Sequence, residues 1–197
     1  MDPIVVDDIP FEVDPAALAR RLHLQEGSSS LADARQLAAE AQAVARPKGL
    51  YGMAYVEDRG EKQVVVDGVL LSSRVLRVNL EEAHRVFPYL ATCGSELDRW
   101  SAGITDVLHR FWADAIKEMA LGAARKAVDE QIDLRFRPGK TSRMNPGSLE
   151  DWPMSQQRAL FDILGDTESL VGVRLTDSFL MLPTKSVSGI RFPRERS

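Results

Sequence analysis

The clearest pattern of hydrophobic positions lies in the middle of the chain and predicts one long amphipathic helix. Apolar residues recur there at the i, i+3, i+4, i+7 spacing that is typical of a helix. They are Ile104, Val107, Leu108, Phe111, Trp112, Ala115, Ile116, Met119, Ala120, Ala123, Ala124, Ala127 and Val128. At a rise of about 1.5 Å per residue, this helix is on the order of 40 Å long. Its alanines indicate close packing, so we expect a buried central helix; the wall of a ligand site is the alternative.

The first 50 residues carry helical signals. Asp14-Pro15 starts a short helix that runs through Leu22, because Asp caps the first amides and Pro suits the first helical position. Ser30 followed by Asp33 resembles a capping box. The apolar positions of Leu31–Ala45 then follow the helical period, which predicts a second helix.

The pattern then changes to short apolar runs, which predict strands. Asp67-Gly68 between Val64–Val66 and Val69–Leu71 is a strong hairpin signal. Val86–Thr92 reads as a further strand, and Lys185–Phe192 is predicted to be the last one.

Several shorter segments complete the predicted order of elements. Ile4–Val6 is predicted as an edge strand, and Met154–Leu164 as a short helix that ends at Gly165. Residues 171–176 alternate between apolar and polar, which predicts a half-buried strand, whereas Val75–Leu80 fits a strand or a helix equally. The mixture predicts an α+β fold, in which a twisted antiparallel sheet packs with the long central helix and shorter helices.

Composition narrows the class of protein. The 197 residues carry a net charge of −4 from 25 basic and 29 acidic side chains, which argues against general binding of nucleic acid phosphates. Cys93 is the single cysteine and the three histidines are scattered, so a metal site is not expected. No apolar run approaches the length of a membrane span, and the N-terminus lacks the basic start of a signal peptide. We therefore expect one cytoplasmic domain over residues 1–197, with a helical part over residues 1–50.

Known catalytic motifs are missing from the sequence. It contains no dinucleotide or nucleotide phosphate loop, no nucleophile elbow and no zinc-protease helix motif. Cys93 is interpreted as a buried structural thiol, with a nucleophile as the alternative, and His109 as a surface or boundary residue. No catalytic residue is predicted.

A basic stretch follows the long helix. Between Leu134 and Leu149 there is no acidic residue, and the cations are Arg135, Arg137, Lys140 and Arg143. Two Pro-Gly pairs predict a turn-rich loop. Arg143 would hold a carboxylate with its fork of N–H groups, and Gly147 would let the bare backbone approach a ligand. Trp152 would stack on a ring or pack in the core; a solvated basic turn is the alternative for the loop.

Several motifs in this last third share one order and spacing. They are Arg143-Met-Asn-Pro-Gly147, the helix after Asp151-Trp152-Pro153, Val171-Gly-Val-Arg-Leu-Thr-Asp-Ser178, Met181-Leu-Pro and Lys185-Ser-Val-Ser-Gly189. Together they resemble the activation domain of cobalamin-dependent methionine synthase, in its short stand-alone form. That family reads Arg-x-x-Pro-Gly-Tyr, Ile-Gly-x-x-Leu-Thr-Glu-Ser and Ser-Val-Ser-Gly at these places. The resemblance is strong over Arg143–Phe192, and residues 90–192 are the best-matched part.

The resemblance implies a role in methionine biosynthesis, as a component of a vitamin B12-dependent methyltransferase. Such a domain binds S-adenosylmethionine and reactivates cobalamin that has slipped from Co(I) to Co(II), with an electron from a flavodoxin-like or ferredoxin-like donor. When the roles of the family residues are carried over to the matching positions, Arg143 would bind the methionine carboxylate. Asn145, Pro146 and Gly147 would offer backbone contacts to the adenosyl portion.

Other positions would complete or support this site. Ser148 is the fifth residue expected to bind S-adenosylmethionine. The Ser-Val-Ser-Gly strand with Ser186, Ser188 and Gly189 would back the loop or form only a tight sheet turn. Trp152 and Arg191 are the remaining candidate supports. The basic stretch would face S-adenosylmethionine, an acidic electron donor or solvent.

Three departures from the family pattern bear on this role. Ser148 stands where the family has Tyr, and Arg191 stands where a second aromatic residue is expected. The Asp-x-His-x-x-Gly motif that supplies the cobalt ligand does not occur, so a partner polypeptide would have to carry the corrinoid. A docking or capping module that no longer binds S-adenosylmethionine is therefore the alternative, and an unrelated small-molecule binder on the same fold is a third.

Overall fold

The structure, a computed structural model, describes residues 1–194 as a mixture of helices and mainly antiparallel strands. The helices are α1 (Pro15–Leu22), α2 (Ser29–Val44), α3 (Arg74–Asn79), α4 (Ser95–Ala102), α5 (Val107–Phe136), α6 (Gln157–Leu164, preceded by a 3₁₀ turn at Met154–Gln156) and α7 (Thr167–Val171). The strands are β1 (Ile4–Val6), β2 (Lys48–Tyr51), β3 (Ala54–Arg59), β4 (Gln63–Val66), β5 (Val69–Ser72), β6 (Arg85–Thr92), β7 (Thr141–Met144), β8 (Arg174–Leu175), β9 (Met181–Leu182) and β10 (Ser186–Pro193).

The main sheet is organised around β6. On one side β6 pairs with β10, and β10 pairs in turn with β7. On the other side β2 and β3 pair with successive parts of β6, β1 lies outside β2, and the β4–β5 hairpin extends from β3. All these pairings are antiparallel, so the predicted α+β class is confirmed, as are the hairpin at Asp67-Gly68 and the strands β6 and β10.

The two faces of the sheet are covered by different helices. On one face Tyr51, Phe87 and Tyr89 pack against the C-terminal half of α5. On the other face the core includes Leu90, Met144, Ile190, Trp152, Leu160 and Leu164, which joins α6 and the loop before it to the sheet. The N-terminal half of α5 forms a separate cluster with α1, α2 and α4. The predicted buried central helix is therefore confirmed over most of its length.

The start of α5 departs from the sequence pattern. Asp106 caps the helix through a 2.8 Å bond from the His109 amide to its carboxylate, so the helix begins at Val107 rather than at Ile104. Val107, Leu108 and Phe111 are 80%, 51% and 62% exposed. The prediction that these positions belong to a buried stripe is wrong, because neighbouring elements bury the helix only from Trp112 onward.

Two other local predictions are corrected by capping geometry. The cap of α2 is Ser28, whose hydroxyl accepts from the Leu31 amide at 3.2 Å, while Ser30 lies inside the helix. Residues 171–176 do not form one strand: Asp166 caps α7, and Gly172 ends it at φ +72°, so only β8 remains extended. The open choice at Val75–Leu80 resolves to helix α3.

The basic stretch is more ordered than a loop. Thr141–Met144 forms β7, which pairs with the end of β10 from Ile190 to Pro193. Local Pro and Gly signals could not reveal this strand, because its partner lies about fifty residues further along the chain.

Gly94 is the residue that joins β6 to α4, and its substitution tests how tightly this junction is built. At φ +92° and ψ 146°, Gly94 has a backbone that is essentially restricted to glycine, and an added Cβ would overlap the Arg46 carbonyl oxygen. Gly68 also has positive φ, +76°, but its added Cβ would meet nothing within 4 Å. We expect Gly68→Ala to lower the free energy of unfolding by about 1 kcal/mol, and Gly94→Ala by about 3 kcal/mol or more. Urea unfolding of both variants measures this, and equal losses would contradict the overlap.

Candidate functional site

The motif Arg143–Ser148 forms the end of β7 and a tight turn. Pro146 and Gly147 occupy the two central positions, with Gly147 at φ +81°, and the Ser148 amide donates to the Asn145 carbonyl oxygen at 3.2 Å. This is the geometry of a type II turn, which favours Pro followed by Gly. The Gly147 amide also donates to the Trp152 carbonyl oxygen at 2.7 Å, which closes the loop behind the turn.

Asn145 fixes this turn to the sheet. Its side-chain amide donates to the Tyr89 hydroxyl at 2.8 Å and to the Ser188 carbonyl oxygen at 2.6 Å. An added Cβ on Gly189 would lie 2.5 Å from that amide nitrogen, so glycine is needed there for the approach. Ser188 is itself buried and accepts from the Gln157 side chain at 2.6 Å. The structure therefore places Ser188 and Gly189 directly behind the loop.

Arg143 lies on the opposite face of β7 from the buried Met144, next to α5. Its guanidinium donates to the Asp129 carboxylate at 2.9 Å and lies 6.0 Å from the centre of the Tyr89 ring. Burial acts to lower the pKa of Arg143, but the hydrogen bond and charge of Asp129 outweigh it, so the pKa is raised above its ordinary value. The side chain is 35% exposed, so the cation remains within reach of solvent and of a ligand.

Arg191 is buried and serves the scaffold. It donates to the Thr141 hydroxyl at 2.6 Å, to the Asp129 carbonyl oxygen at 3.1 Å and to the Asp133 carboxylate at 2.6 Å. These bonds tie β10 to β7 and to α5. Arg191 therefore stands behind the loop as a support.

Ser186 and the side chain of Trp152 are the remaining predicted supports, and neither side chain bonds to the turn. Ser186 bonds to Thr92 and to the Pro183 carbonyl oxygen, at the far end of β10 from Arg191. Trp152 is fully buried in the core, which favours packing over stacking on a ligand. Its indole nitrogen has no hydrogen-bond partner among residues 1–194.

The residues outside the motif behave as structural groups. Cys93 is buried, and burial raises the pKa of its thiol to about 12, which agrees with its interpretation as a structural thiol. His109 is half-buried and stacks on Trp112 at 5.2 Å between ring centres. Neither lies near the Arg143 loop in the described contacts.

A cleft of about 810 Å³ opens beside the loop rather than at it. Its lining includes Tyr55, Arg85, Ser142, Phe192 and Arg194. The turn itself is a surface feature, with Gly147 and Ser148 exposed and Pro146 buried. A ligand on the turn would lie against the surface and not in a deep cavity.

Two residues of this site lie outside the sequence motifs. Tyr89 is on β6 and Asp129 on α5, and each reaches the loop only through the tertiary fold. Gln157, on the motif helix α6, donates instead to Ser188 behind the loop. The tyrosine and glutamine resemble ordinary strand and helix residues in the sequence, and nothing in their spacing marks them. Asp129 is one of several acids on the exposed side of the helix pattern.

The segment that contains the loop also matches a known family. Residues 140–197 match the model of the family described as vitamin B12-dependent methionine synthase, activation domain. The chain resembles a methionine synthase activation domain. The match includes β7, the Arg143–Ser148 turn and β10, so the site and the matched segment coincide.

The fold of the whole chain agrees with this activation-domain resemblance. It is similar to a crystal structure of the MetH reactivation domain bound to AdoHcy, with a TM-score of 0.66 and 16% identity. The likeness covers 100% of this chain and 80% of that one, and at this identity it establishes the fold. A search of curated proteins finds no match. Among the residues described, no helix is long and apolar enough to cross a membrane.

Asp151 holds the loop to α3, and the stability of the protein should therefore depend on pH through this residue. It accepts from the Ser73 hydroxyl at 2.6 Å and from the Val75 amide at 2.9 Å, and these bonds lower its pKa below the ordinary 3.8. A carboxyl group whose pKa is lower in the folded than in the unfolded protein stabilises the fold at every pH above its unfolded pKa. This stabilisation is lost as the pH falls through its folded pKa.

We expect Asp151→Ala to lower the melting temperature at neutral pH, and the difference from the native protein to shrink as pH falls below about 4. Thermal unfolding followed by circular dichroism between neutral pH and pH 3 measures this. Glu150→Ala removes the same charge from an exposed neighbour and serves as control. A difference that stays constant with pH would argue against a role for the ionised carboxylate.

Proposed function

We propose that this chain is a stand-alone reductive-activation module for a cobalamin-dependent methyltransferase such as methionine synthase. It would bind S-adenosylmethionine and place the methyl group over the cobalt of a corrinoid held by a partner. The observation that carries the proposal is the coincidence of the family-matched segment with a fixed turn that keeps Arg143, Gly147 and Ser148 at the surface.

The structural neighbour supports this choice of ligand. The MetH reactivation domain has the same fold and was crystallised with AdoHcy, which is S-adenosylmethionine without its methyl group. Chemically, the amino-acid end of such a ligand offers a carboxylate, and the nucleoside end offers a flat purine and a ribose. At the exposed turn, the Arg143 cation is available to the carboxylate, and the bare backbone is available to the nucleoside end.

Each residue of the turn has a separate task in this proposal. Arg143 would bind the methionine carboxylate, because an arginine fork matches the two oxygens of a carboxylate. The backbone of Asn145, Pro146 and Gly147, with Ser148, would contact the adenosyl portion. Ser188 and Gly189 would support the turn from behind.

The chain would act by positioning rather than by acid–base chemistry. When bound, S-adenosylmethionine supplies the methyl group, and a flavodoxin-like or ferredoxin-like donor supplies the electron that reduces the corrinoid. The protein holds the sulfonium in one orientation, which replaces a rare encounter by an effectively intramolecular one. Because the sequence has no Asp-x-His-x-x-Gly motif, the corrinoid would come from the partner.

Two observations favour a second function. Arg143 is already paired with Asp129, and Ser148 lacks the aromatic ring that the family has at this place. Both features fit a module that docks on a corrinoid protein and caps it, without binding S-adenosylmethionine. Binding of the nucleoside ligand separates the two functions.

The first test is the effect of Arg143→Ala on binding of AdoHcy and S-adenosylmethionine. We expect the native protein to bind both in isothermal titration calorimetry, and the variant to bind about ten- to a hundredfold more weakly through loss of a charge-assisted pair. Lys140→Ala removes an exposed charge from the same stretch and should leave the affinity unchanged. No heat from the native protein at millimolar ligand would refute nucleoside binding and favour the docking module.

The second test restores the family residue. Ser148 is exposed, so Ser148→Tyr would place a ring at the turn without disturbing the core. We expect the ring to strengthen AdoHcy binding about three- to tenfold, because aromatic stacking on a base contributes about 1 kcal/mol or more. Ser148→Ala distinguishes the added ring from loss of the bond between the serine hydroxyl and the Asn145 carbonyl oxygen, which is 2.6 Å long. Equal affinity of the Tyr and Ala variants would place the nucleoside elsewhere.

A further inference from the structure

Asp129 is the acidic residue that pairs with Arg143, the side chain proposed to bind the ligand carboxylate. It extends from α5, and one carboxylate oxygen accepts from the Arg143 guanidinium at 2.9 Å. Its side chain is 24% exposed and that of Arg143 is 35% exposed, so solvent reaches both members of the pair. A cation and an anion are therefore presented side by side at the edge of the turn.

This arrangement is complementary to an α-amino acid. The α-carboxylate and the α-ammonium of an amino acid are attached to one carbon, so a protein that binds both needs a cation and an anion that are immediate neighbours. A carboxylate oxygen can accept more than one hydrogen bond, so accepting from Arg143 does not exhaust Asp129. Likewise, the five N–H donors of a guanidinium leave Arg143 with capacity beyond this single contact.

We propose that Asp129 binds the α-ammonium group of the ligand while Arg143 binds its α-carboxylate. The inference rests on the proposed function, and it adds to that function the residue that recognises the amino-acid end. Asp129 would then determine specificity for ligands with a complete amino-acid end.

The orientation of Asp129 is set from behind by Arg191. Arg191 is nearly buried and donates to the Asp129 main-chain oxygen at 3.1 Å, and it lies 3.5 Å from the second carboxylate oxygen. One oxygen of Asp129 thus faces Arg191, and the other faces Arg143. The basic residue that departs from the family pattern consequently holds the carboxylate in a defined orientation.

Charge balance also favours a zwitterion over a simple anion. Arg143 and Arg191 are matched by Asp129 and Asp133, which form the ion pairs of this cluster. An amino-acid end adds one negative and one positive charge and keeps the cluster neutral. A ligand with only the carboxylate would place its charge beside Asp129 without compensation, which is unfavourable in a partly buried site.

The ligand series provides a test that needs no variant. The native protein is titrated by calorimetry with AdoHcy, with its deamino analogue that retains the carboxylate, and with 5′-methylthioadenosine, which lacks the amino-acid end. We expect removal of the ammonium group to weaken binding about ten- to a hundredfold, the range for a hydrogen bond to a charged group. A deamino analogue that binds as tightly as AdoHcy would overturn the role of Asp129.

Asp129→Asn then assigns the effect to this residue. In the variant we expect AdoHcy to bind about tenfold or more weakly, and the deamino analogue to bind no more weakly than to the native protein, so that the two ligands become nearly equal. Glu130→Gln is the matched control, because Glu130 is an acid of the same helix that pairs with Lys126 and lies outside this charge cluster. It should preserve the native preference for AdoHcy.

The outcomes separate this inference from the proposed function. If the native protein binds none of the nucleosides, both fail together. If it binds AdoHcy but Asp129→Asn weakens all three ligands equally, or strengthens AdoHcy, only the role of Asp129 fails; strengthening would make Asp129 a competitor of the ligand carboxylate. Because the ligand series uses the native protein, poor folding of a variant does not remove the test.

Discussion

The site depends on the position of β10 between β6 and β7. Backbone hydrogen bonds on both edges fix this strand, with Gly189 opposite Tyr89 on β6 and Arg191 opposite Arg143 on β7. The register sets which side chains face the turn, because a shift by one residue would exchange the two faces of the strand. With this register, Ser188 and Gly189 meet Asn145, and Arg191 reaches α5.

The buried Arg191 stabilises this arrangement only when all of its hydrogen-bond acceptors are in place. Removing a guanidinium from water costs several kcal/mol, and only a full set of acceptors offsets that cost. Its acceptors come from two elements, Thr141 on β7 and the acids Asp129 and Asp133 on α5. The strands and the long helix must therefore come together in one geometry, and Asp129 is brought to Arg143 as part of the same network.

A rigid support behind a small exposed turn suits the proposed task. The hydrogen bonds from Asn145 and the close approach at Gly189 fix the backbone before any ligand arrives. Preorganised contacts lower the entropy cost of binding, which matters where a site lies on the surface and buries little of its ligand. In such a module, the ligand and the partner's corrinoid would carry the chemistry, while the chain holds one of them in place.

Much of the fold was predictable from the sequence because local signals are strong where the period is regular. The helix α5, the hairpin at Asp67-Gly68 and the strand β6 follow from patterns within one element. Predictions failed where a long-range contact decided the outcome. The strand β7 forms only because β10 pairs with it, and the stripe at Val107 and Phe111 is exposed because no element covers that end of the helix among the described residues.

The same division holds for the candidate site. The sequence by itself determined the turn, since Pro146-Gly147 dictates its backbone, and it determined that Arg143 would lie just before that turn. Only the tertiary structure decided what surrounds them: Tyr89, Asp129 and Gln157 come from three other elements. The physical reason is that a turn is specified by the dihedral preferences of adjacent residues. The partners of a charged side chain, in contrast, are specified by which distant segments share its surface once the sheet and the helix have packed.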